Sequence, residues 1–366
     1  DDMQTLERMG RENFNEIEET IRKYGIDCDW QRTGELRVAV KDWQLDGMKE
    51  EAELRNQYGD HVEVLSQAEV QARVNSPIYK GGLWDADGTA LVDPARLVWG
   101  LEKVCLKLGV KIYENSKVEW LERTSDGILV HTAYGSVYAD KVALATNVFK
   151  SLIKRARKYV IPVYDFQVVT EPLTQEQWKA IGWSGKEGMS EAGNQFHYYR
   201  VTSEGAILWG GYDAIYHFRG KARQEYETDA ETYAYLAADF LETFPQLKGI
   251  KFTHGWGGAI DTCSRFSPFW GRAYRKRVAY VLGFTGLGVA STRFGAQVLL
   301  DLVDGLDTER TRLKMVRRKP LPFPPEPFRF LFIRLTQWSI NYADEHGGKR
   351  NLWLKLLDRL GLGFDS

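Results

Sequence analysis

Leu6, Met9, Phe14, Ile17, Ile21 and Tyr24 follow one another at steps of three to five, and that spacing predicts an amphipathic helix over residues 5–24, stopped by Gly25. Alternation then takes over: Leu36, Val38 and Val40 share one face of a predicted strand over 35–40. A helix with a charged face follows over 43–58, ending at Gly59, and Ser66 with Glu69 has the form of a capping box for a short third helix. Asp93 as cap, Pro94 in the first turn and the stripe Leu97, Leu101, Val104 and Leu108 predict a helix closed by Gly109. Five short strands are expected next, over 110–113, 117–122, 128–132, 136–138 and 141–145, before Thr146 and Asn147 cap a helix from Val148 onward.

Strand character returns over 159–170, a short helix opens at Thr174 with Gln177, and 195–202 with 206–210 read as a hairpin. Period two places Phe196, Tyr198 and Arg200 on one hairpin face, and His197, Tyr199 and Val201 on the other. A helix over 229–244, ended by Pro245, precedes a strand running toward Trp256, Gly257 and Gly258. The stretch 278–305, VAYVLGFTGLGVASTRFGAQVLLDLVDG, joins a buried-strand run to a loop with Gly283, Gly286 and Gly288, then to a helix with Phe294, Val298, Leu299 and Leu302 at helical spacing. Glycines at such a junction let backbone N–H groups approach a ligand, and the helix N-terminus adds a positive dipole end. A tight turn with no ligand has the same pattern. Beyond it, 310–319 is basic, prolines between Pro320 and Pro327 make a stiff connector, and an aromatic run over 328–333 leads to a closing helix over 352–360. This tail is expected to pack across the body of the protein rather than rest on a membrane surface.

The 366 residues suffice for two ordinary or interleaved domains with a large core. A net charge of -1 gives no bulk attraction to nucleic acid. Cys28, Cys105 and Cys263 form no C-x-x-C pair and no metal-ligand spacing with the histidines, so a reducing compartment and no metal are expected. No apolar run reaches the roughly 18 residues of a membrane helix, and no signal-peptide-like leader opens the chain, so a soluble cytoplasmic protein is expected.

The glycine stretch resembles the C-terminal flavin-contacting motif of the D-amino-acid oxidase family, which includes glycine and sarcosine oxidases and gamma-glutamylputrescine oxidase-like proteins. That motif typically reads G-[YF]-[ST]-G-H-G; here it is Gly283, Phe284, Thr285, Gly286, Leu287, Gly288. The resemblance implies an α/β (α+β) fold in which an FAD-binding Rossmann-like domain, here incomplete, is interleaved with a large antiparallel-sheet substrate domain. It assigns 1–26, 91–155 and 277–310 to the first and 27–90 and 156–276 to the second, and leaves 311–366 as connector and helical tail. It implies FAD contacts at Val118 beside the adenine and at Thr146 and Asn147 in the A-[ST]-[GN] turn near the pyrophosphate. Further contacts are implied at Gly257, Gly283, Phe284, Gly286, Leu287 and Gly288. Taken singly, Val118 is an ordinary strand valine and Thr146 with Asn147 an ordinary helix cap; their order relative to Gly283 favours the ligand reading. The run from Ala259 to Gly271 resembles the family segment that leads to a P-x-x-G turn, here Pro268 to Gly271. Gly257 stands where sarcosine oxidases carry a flavin-linked cysteine, so the FAD is expected to be noncovalent.

The implied activity is oxidation of the C–N bond of a small-molecule amine or amino acid to an imine, by hydride transfer to flavin. The cofactor carries the redox chemistry, so no catalytic triad is expected. Tyr198, Tyr199, Arg200, Tyr212 and Trp256 are candidate substrate-positioning groups, an arginine to hold a carboxylate and aromatic faces to cage an amine. Each of them reads equally as a core or surface residue. Leu287 replaces the family's frequent histidine, and Ala290 stands where sarcosine oxidases carry a lysine associated with oxygen activation, which leaves open a dehydrogenase passing electrons to a carrier. No G-x-G-x-x-G, the family's pyrophosphate grip, occurs anywhere in the sequence. The chain opens with Asp1 in a helix already under way and is read as a fragment of a longer oxidoreductase, expected to bind FAD poorly as it stands. The alternative is a decayed homologue serving as a noncatalytic binding module.

Overall fold

The computed structural model describes residues 2–362. The chain begins with α1 (Asp2–Tyr24), β1 (Glu35–Ala39), α2 (Gln44–Gln57), β2 (Val62–Ser66), α3 (Gln67–Arg73), β3 (Gly81–Asp85) and α4 (Pro94–Lys107). Then come β4 (Val118–Arg123), β5 (Ile128–Thr132), β6 (Gly135–Ala139), β7 (Val142–Leu144), β8 (Ile161–Thr170), α5 (Gln175–Ile181), β9 (Gly188–Glu191), β10 (His197–Val201) and β11 (Ile207–Gly211). The order continues with α6 (Ala230–Thr243), β12 (Phe252–Thr262), β13 (Phe269–Ala273), β14 (Val278–Leu282) and α7 (Gly288–Asp304). Short α8 (Glu309–Arg312) and α9 (Lys314–Arg317) lead to α10 (Phe328–Glu345) and α11 (Leu352–Arg359). Side-chain caps fix several helix starts: Ser66 and Thr174 form capping boxes with Glu69 and Gln177, and Asp93 and Asp229 accept first-turn N–H groups.

Eight strands form one sheet in the order β12-β8-β11-β10-β9-β1-β3-β2. Its pairs are antiparallel except β1 with β9, which run parallel. One face is apolar and closes against α6: Leu36, Val38, Tyr164, Phe166, Val168, Tyr199 and Trp209 pack with Leu236, Phe240 and Phe244. Burying aromatic and aliphatic side chains of this kind contributes roughly 1.5–3 kcal/mol each, and this is the largest of the buried clusters.

A second sheet has only three strands, β13-β14-β7, with β7 parallel to β14 and β13 antiparallel to it. Helix α7 covers one side, Val298 and Leu299 packing with Ala279 and Val281. The β4-β5-β6 meander covers the other through Leu121 and Ile128 against Val278 and Tyr280. Helix α1 lies on α7, where Asn13 Nδ2 donates to the Ala290 carbonyl at 3.1 Å and Arg293 pairs with Glu16.

Two local expectations are corrected. Residues 110–113 are not a strand, although Val110 and Ile112 alternate as one; among the described residues no strand lies beside them, and both side chains are exposed. A strand is a property of a pair, so the pattern alone cannot make it. No α-helix starts at Val148 either: a turn closed by Phe149 N–H to the Thr146 carbonyl is followed by a 3-10 turn over Lys154–Tyr159. The tail does pack on the body, with the Asp344 carboxylate accepting from Asn194 Nδ2 at 2.6 Å and from the Gln195 N–H at 3.1 Å.

Candidate active site

Directly paired residues of neighbouring strands point to the same side of a sheet, so register fixes which side chains meet. Trp256 on β12 pairs with Gln167 on β8, Gln167 with Gly210 on β11, and Gly210 with Tyr198 on β10. Asp165, opposite Gly258, and Ile260 share that side by the period-two rule. This is the face turned away from α6. On it the Tyr198 hydroxyl donates to Asp165 Oδ2 and accepts from Gln167 Nε2 at 2.8 Å. Gly210 makes the room: a Cβ there would come 2.5 Å from Gln167 Cγ and 3.2 Å from Tyr198 Cζ. Burial pushes the Asp165 carboxyl above its usual range, with the Tyr198 hydroxyl pulling it back. Burial, then the charge of Asp165, raises the Tyr198 phenol, which therefore stays protonated as a donor.

The loop after β14 meets the same face. The Asp261 carboxylate accepts the Gly283 N–H at 2.6 Å and the Phe284 N–H at 3.1 Å, tying loop to strand. Gly283 has φ +82° and lies against Cys263, where a Cβ would come within 2.9 Å of the cysteine Cβ. The Cys263 side chain is fully buried, its thiol set against the carbonyls of Ser267 at 3.2 Å and Gly283 at 3.5 Å. At Gly286, φ +83°, a Cβ would meet nothing nearer than Ile260 Cδ1 at 3.6 Å, so the loop passes near Ile260 and leaves space beside it. Helix α7 then starts with no side-chain cap on its first-turn N–H groups, and Leu287 ahead of it is exposed.

The structure brings together only part of the expected substrate set. Tyr198 and Trp256 lie on the open face. Arg200 shares that face but is already engaged, its guanidinium donating to the Val92 carbonyl and lying 3.3 Å from Asp29, and burial lowers its pKa. Tyr199 lies on the opposite side, in the core, with its hydroxyl on that of Tyr79 and its ring 4.5 Å from Trp209. Tyr212, at φ +71°, stacks on His197 at 5.1 Å, also away from Tyr198.

The expected cofactor residues divide in the same way. The Gly257 N–H donates to the Glu227 carbonyl at 2.7 Å, and a Cβ at this position would strike the Phe166 ring, so the glycine serves core packing. Val118 opens β4 opposite Thr132, and Asn147, at φ +48°, uses its own Oδ1 to hold the Val148 N–H. Thr146 Oγ1 is buried without a partner. Asp165, Gln167 and Asp261 escaped the sequence reading as site residues. For Asp165 and Gln167 the signal was present, since they interrupt the apolar run IPVYDFQVVT at period two.

A family model described as FAD dependent oxidoreductase (DAO) matches residues 2–302. The chain belongs to this family. It is 30% identical to the Gamma-glutamylputrescine oxidoreductase of Escherichia coli, over 80% of this chain and 66% of that protein. It is 29% identical to a Probable oxidoreductase OrdL of Haemophilus influenzae, over 83% of this chain and 68% of the relative. The chain thus spans about two thirds of the length of these two relatives. Among solved structures, a glycine oxidase from Bacillus cereus superposes with a TM-score of 0.72 at 18% identity, over 87% of this chain and 84% of that one. An L-proline dehydrogenase from P. horikoshii gives 0.69 at 18%, covering 85% and 80%. These likenesses establish the shared fold.

FAD is the family's cofactor, and the residues present fit it at two points. Thr146 Oγ1 is a buried hydroxyl with nothing to bond, and a buried polar atom without a partner costs about 1–3 kcal/mol unless a ligand or water satisfies it. The uncapped first turn of α7, beside the clear approach at Gly286, offers N–H donors and a positive dipole end. The N–H groups of Gly283 and Phe284 are already taken by Asp261 and are not free to meet a ligand.

Proposed function

We propose that this chain carries the substrate face and part of the FAD cradle of an enzyme that oxidises the C–N bond of an amine or amino acid to an imine. The observation that carries this reading is the bonded row Asp165, Tyr198 and Gln167 on the sheet face that the Gly286 loop approaches beside Ile260. When bound, FAD supplies the two-electron acceptor. The substrate C–H bond breaks with its electron pair leaving as hydride, the nitrogen lone pair forms the C=N bond and a proton leaves nitrogen. Water then adds at carbon and the amine departs, leaving a carbonyl. Asp165 offers an acceptor for the substrate N–H, the Tyr198 hydroxyl and the Phe166 N–H hold that carboxyl in place while Gln167 holds Tyr198, and the half-exposed Trp256 indole gives an amine an aromatic face. The 30% identity to an oxidoreductase named for gamma-glutamylputrescine supports an amine substrate.

The cofactor unit comprises 1–26, 91–155 and 277–310, the substrate unit 27–90 and 156–276, and the tail 311–366. The pairing of β13 with β14 supports one adjustment, counting Phe269–Ala273 with the cofactor unit. FAD is held noncovalently, because Gly257 has no thiol and that of Cys263 is buried against two carbonyls. A second reading concerns the electron acceptor: Ala290 leaves the first turn of α7 without a cation, which favours a carrier over O2. The test is to saturate the chain with FAD, then follow anaerobic bleaching of the flavin band by amines, amino acids and 2-hydroxy acids, with reoxidation by O2 and by a dye. Bleaching by an amine or amino acid supports the reading. Flavin that binds and is bleached only by a hydroxy acid sinks it.

A further inference from the structure

The tail beyond the family match is charged unlike the rest of the chain. Residues 310–366 hold 12 Lys and Arg against 5 Asp and Glu, a balance of +7 in a protein of net -1, so residues 1–309 carry -8. Within it α10 has two different apolar sides. The inner side is fastened to the body: Thr336, Ser339, Ala343 and Asp344 are buried, Gln337 donates to the Ala214 carbonyl, and the Phe330 ring packs edge-on to Phe218 at 5.6 Å. The outer side carries Phe328, Leu331, Leu335, Trp338 and Tyr342, spaced three, four, three and four, so that all fall on one stripe. All five are exposed, Phe328 at 65%, Leu331 at 61% and Trp338 at 59%. Helix α11 repeats the arrangement with exposed Leu352, Leu356 and Leu360 interspersed with Lys355 and Arg359, and Arg334 stands beside the α10 stripe.

We propose that this outer face docks the protein on an anionic lipid surface, with α10 lying in the plane of the headgroups. The chemistry matches such a surface on both counts: Trp, Tyr, Phe and Leu enter the headgroup and acyl boundary, and the flanking cations meet lipid phosphates. Charge chooses among occupants. A second copy of this chain would bring two tails of +7 together, whereas an anionic membrane neutralises them. Among the described residues no helix is long and apolar enough to cross a membrane, so the attachment is lateral. The tail therefore both packs on the body and presents a face outward.

The test is flotation of the FAD-saturated chain with phosphatidylcholine vesicles, with and without phosphatidylglycerol, at about 0.1 M and about 1 M salt, where screening lengths are about 10 Å and 3 Å. Binding is expected only with phosphatidylglycerol at the lower salt. Trp338→Glu and, separately, Arg334→Glu should each lower the bound fraction about ten-fold, with circular dichroism unchanged. Both positions are exposed, so neither change disturbs the core. Three results would overturn the proposal: no binding to anionic vesicles, both variants binding as well as the unsubstituted chain, or a dimer by light scattering that Leu335→Glu dissociates while vesicles bind nothing.

Discussion

The two main sheets of this molecule are built from similar residues and finished to different degrees. The eight-stranded sheet has one face filled by α6 and a ring stack, with Trp209 between His197 at 4.6 Å and Tyr199 at 4.5 Å and Phe240 edge-on at 5.5 Å. The three-stranded sheet is closed above and below, but β7 has no partner on its outer side among the described residues, and Ala143 there is exposed. Near-complete burial is the normal state of parallel strands. Exposed Val98, Trp99, Leu106 and Leu108 on and after α4 add unburied apolar surface to the same unit. Local propensity is thus adequate in both sheets, and the difference lies in whether each strand and helix face has a partner.

The largest effect that tests this contrast is a pair of equal substitutions. Trp209 is fully buried and Trp99 is 60% exposed. Trp209→Ala should cost about 3–5 kcal/mol, the usual range for a large aromatic removed from a packed core. Trp99→Ala should stay within about 0.5 kcal/mol, as for a surface site. Urea melts of both variants decide it; similar costs would mean that the α4 surface is as well buried as the large sheet.

A second expectation concerns charge inside the filled sheet. His197 Nδ1 lies 2.9 Å from Glu191, and Nε2 lies 3.3 Å from Asp239, an ion pair too poorly aligned to be a good hydrogen bond. Burial opposes the imidazolium, but Asp239 and Glu191 outweigh it and lift the pKa to about 9. A histidine raised above its unfolded value, near 6.5, contributes stability that is complete below that value and is lost as pH climbs through about 9. The loss should be roughly 3 kcal/mol at about 1.4 kcal/mol per unit. His197→Gln should flatten the stability profile across that window; an unchanged slope would refute the clamp.

How much of this was legible in the sequence follows from where the information resides. Helix starts were readable because a cap and its partner lie three residues apart, as with Ser66 and Glu69. Strands β2, β3 and β9 were not: GGLWD and GMSE have little strand character, and they extend because β1 pairs with β3 on one side and, in parallel, with β9 on the other. Residues 110–113 show the converse, a good pattern with nothing to pair. In the site, alternation already separated Tyr198 and Arg200 from Tyr199. What it could not supply was register, which sets Gln167 opposite both Gly210 and Trp256 and so assembles the row. The Asp261 anchor was equally hidden, because it joins residues 22 positions apart through backbone donors.

The smallest effect is the most informative about function. Tyr198→Phe removes one hydroxyl and leaves the ring, so the sheet should lose only about 1–2 kcal/mol, the cost of leaving Asp165 and Gln167 each short of one bond. If the row merely joins strands, that is all that happens, and kinetics per folded molecule are unchanged. If the row holds the amine, Asp165 is left with only its Phe166 N–H bond and kcat/KM should fall about ten-fold, equivalent to about 1.4 kcal/mol. A rise in KM at constant kcat would mean that the row binds the ground state, whereas an equal fall in kcat and kcat/KM would mean that it aligns the C–H bond during transfer. Trp209→Ala cannot separate these cases, since it lowers the folded population. Tyr198 can, because its ring and its hydroxyl serve the sheet and the open face separately.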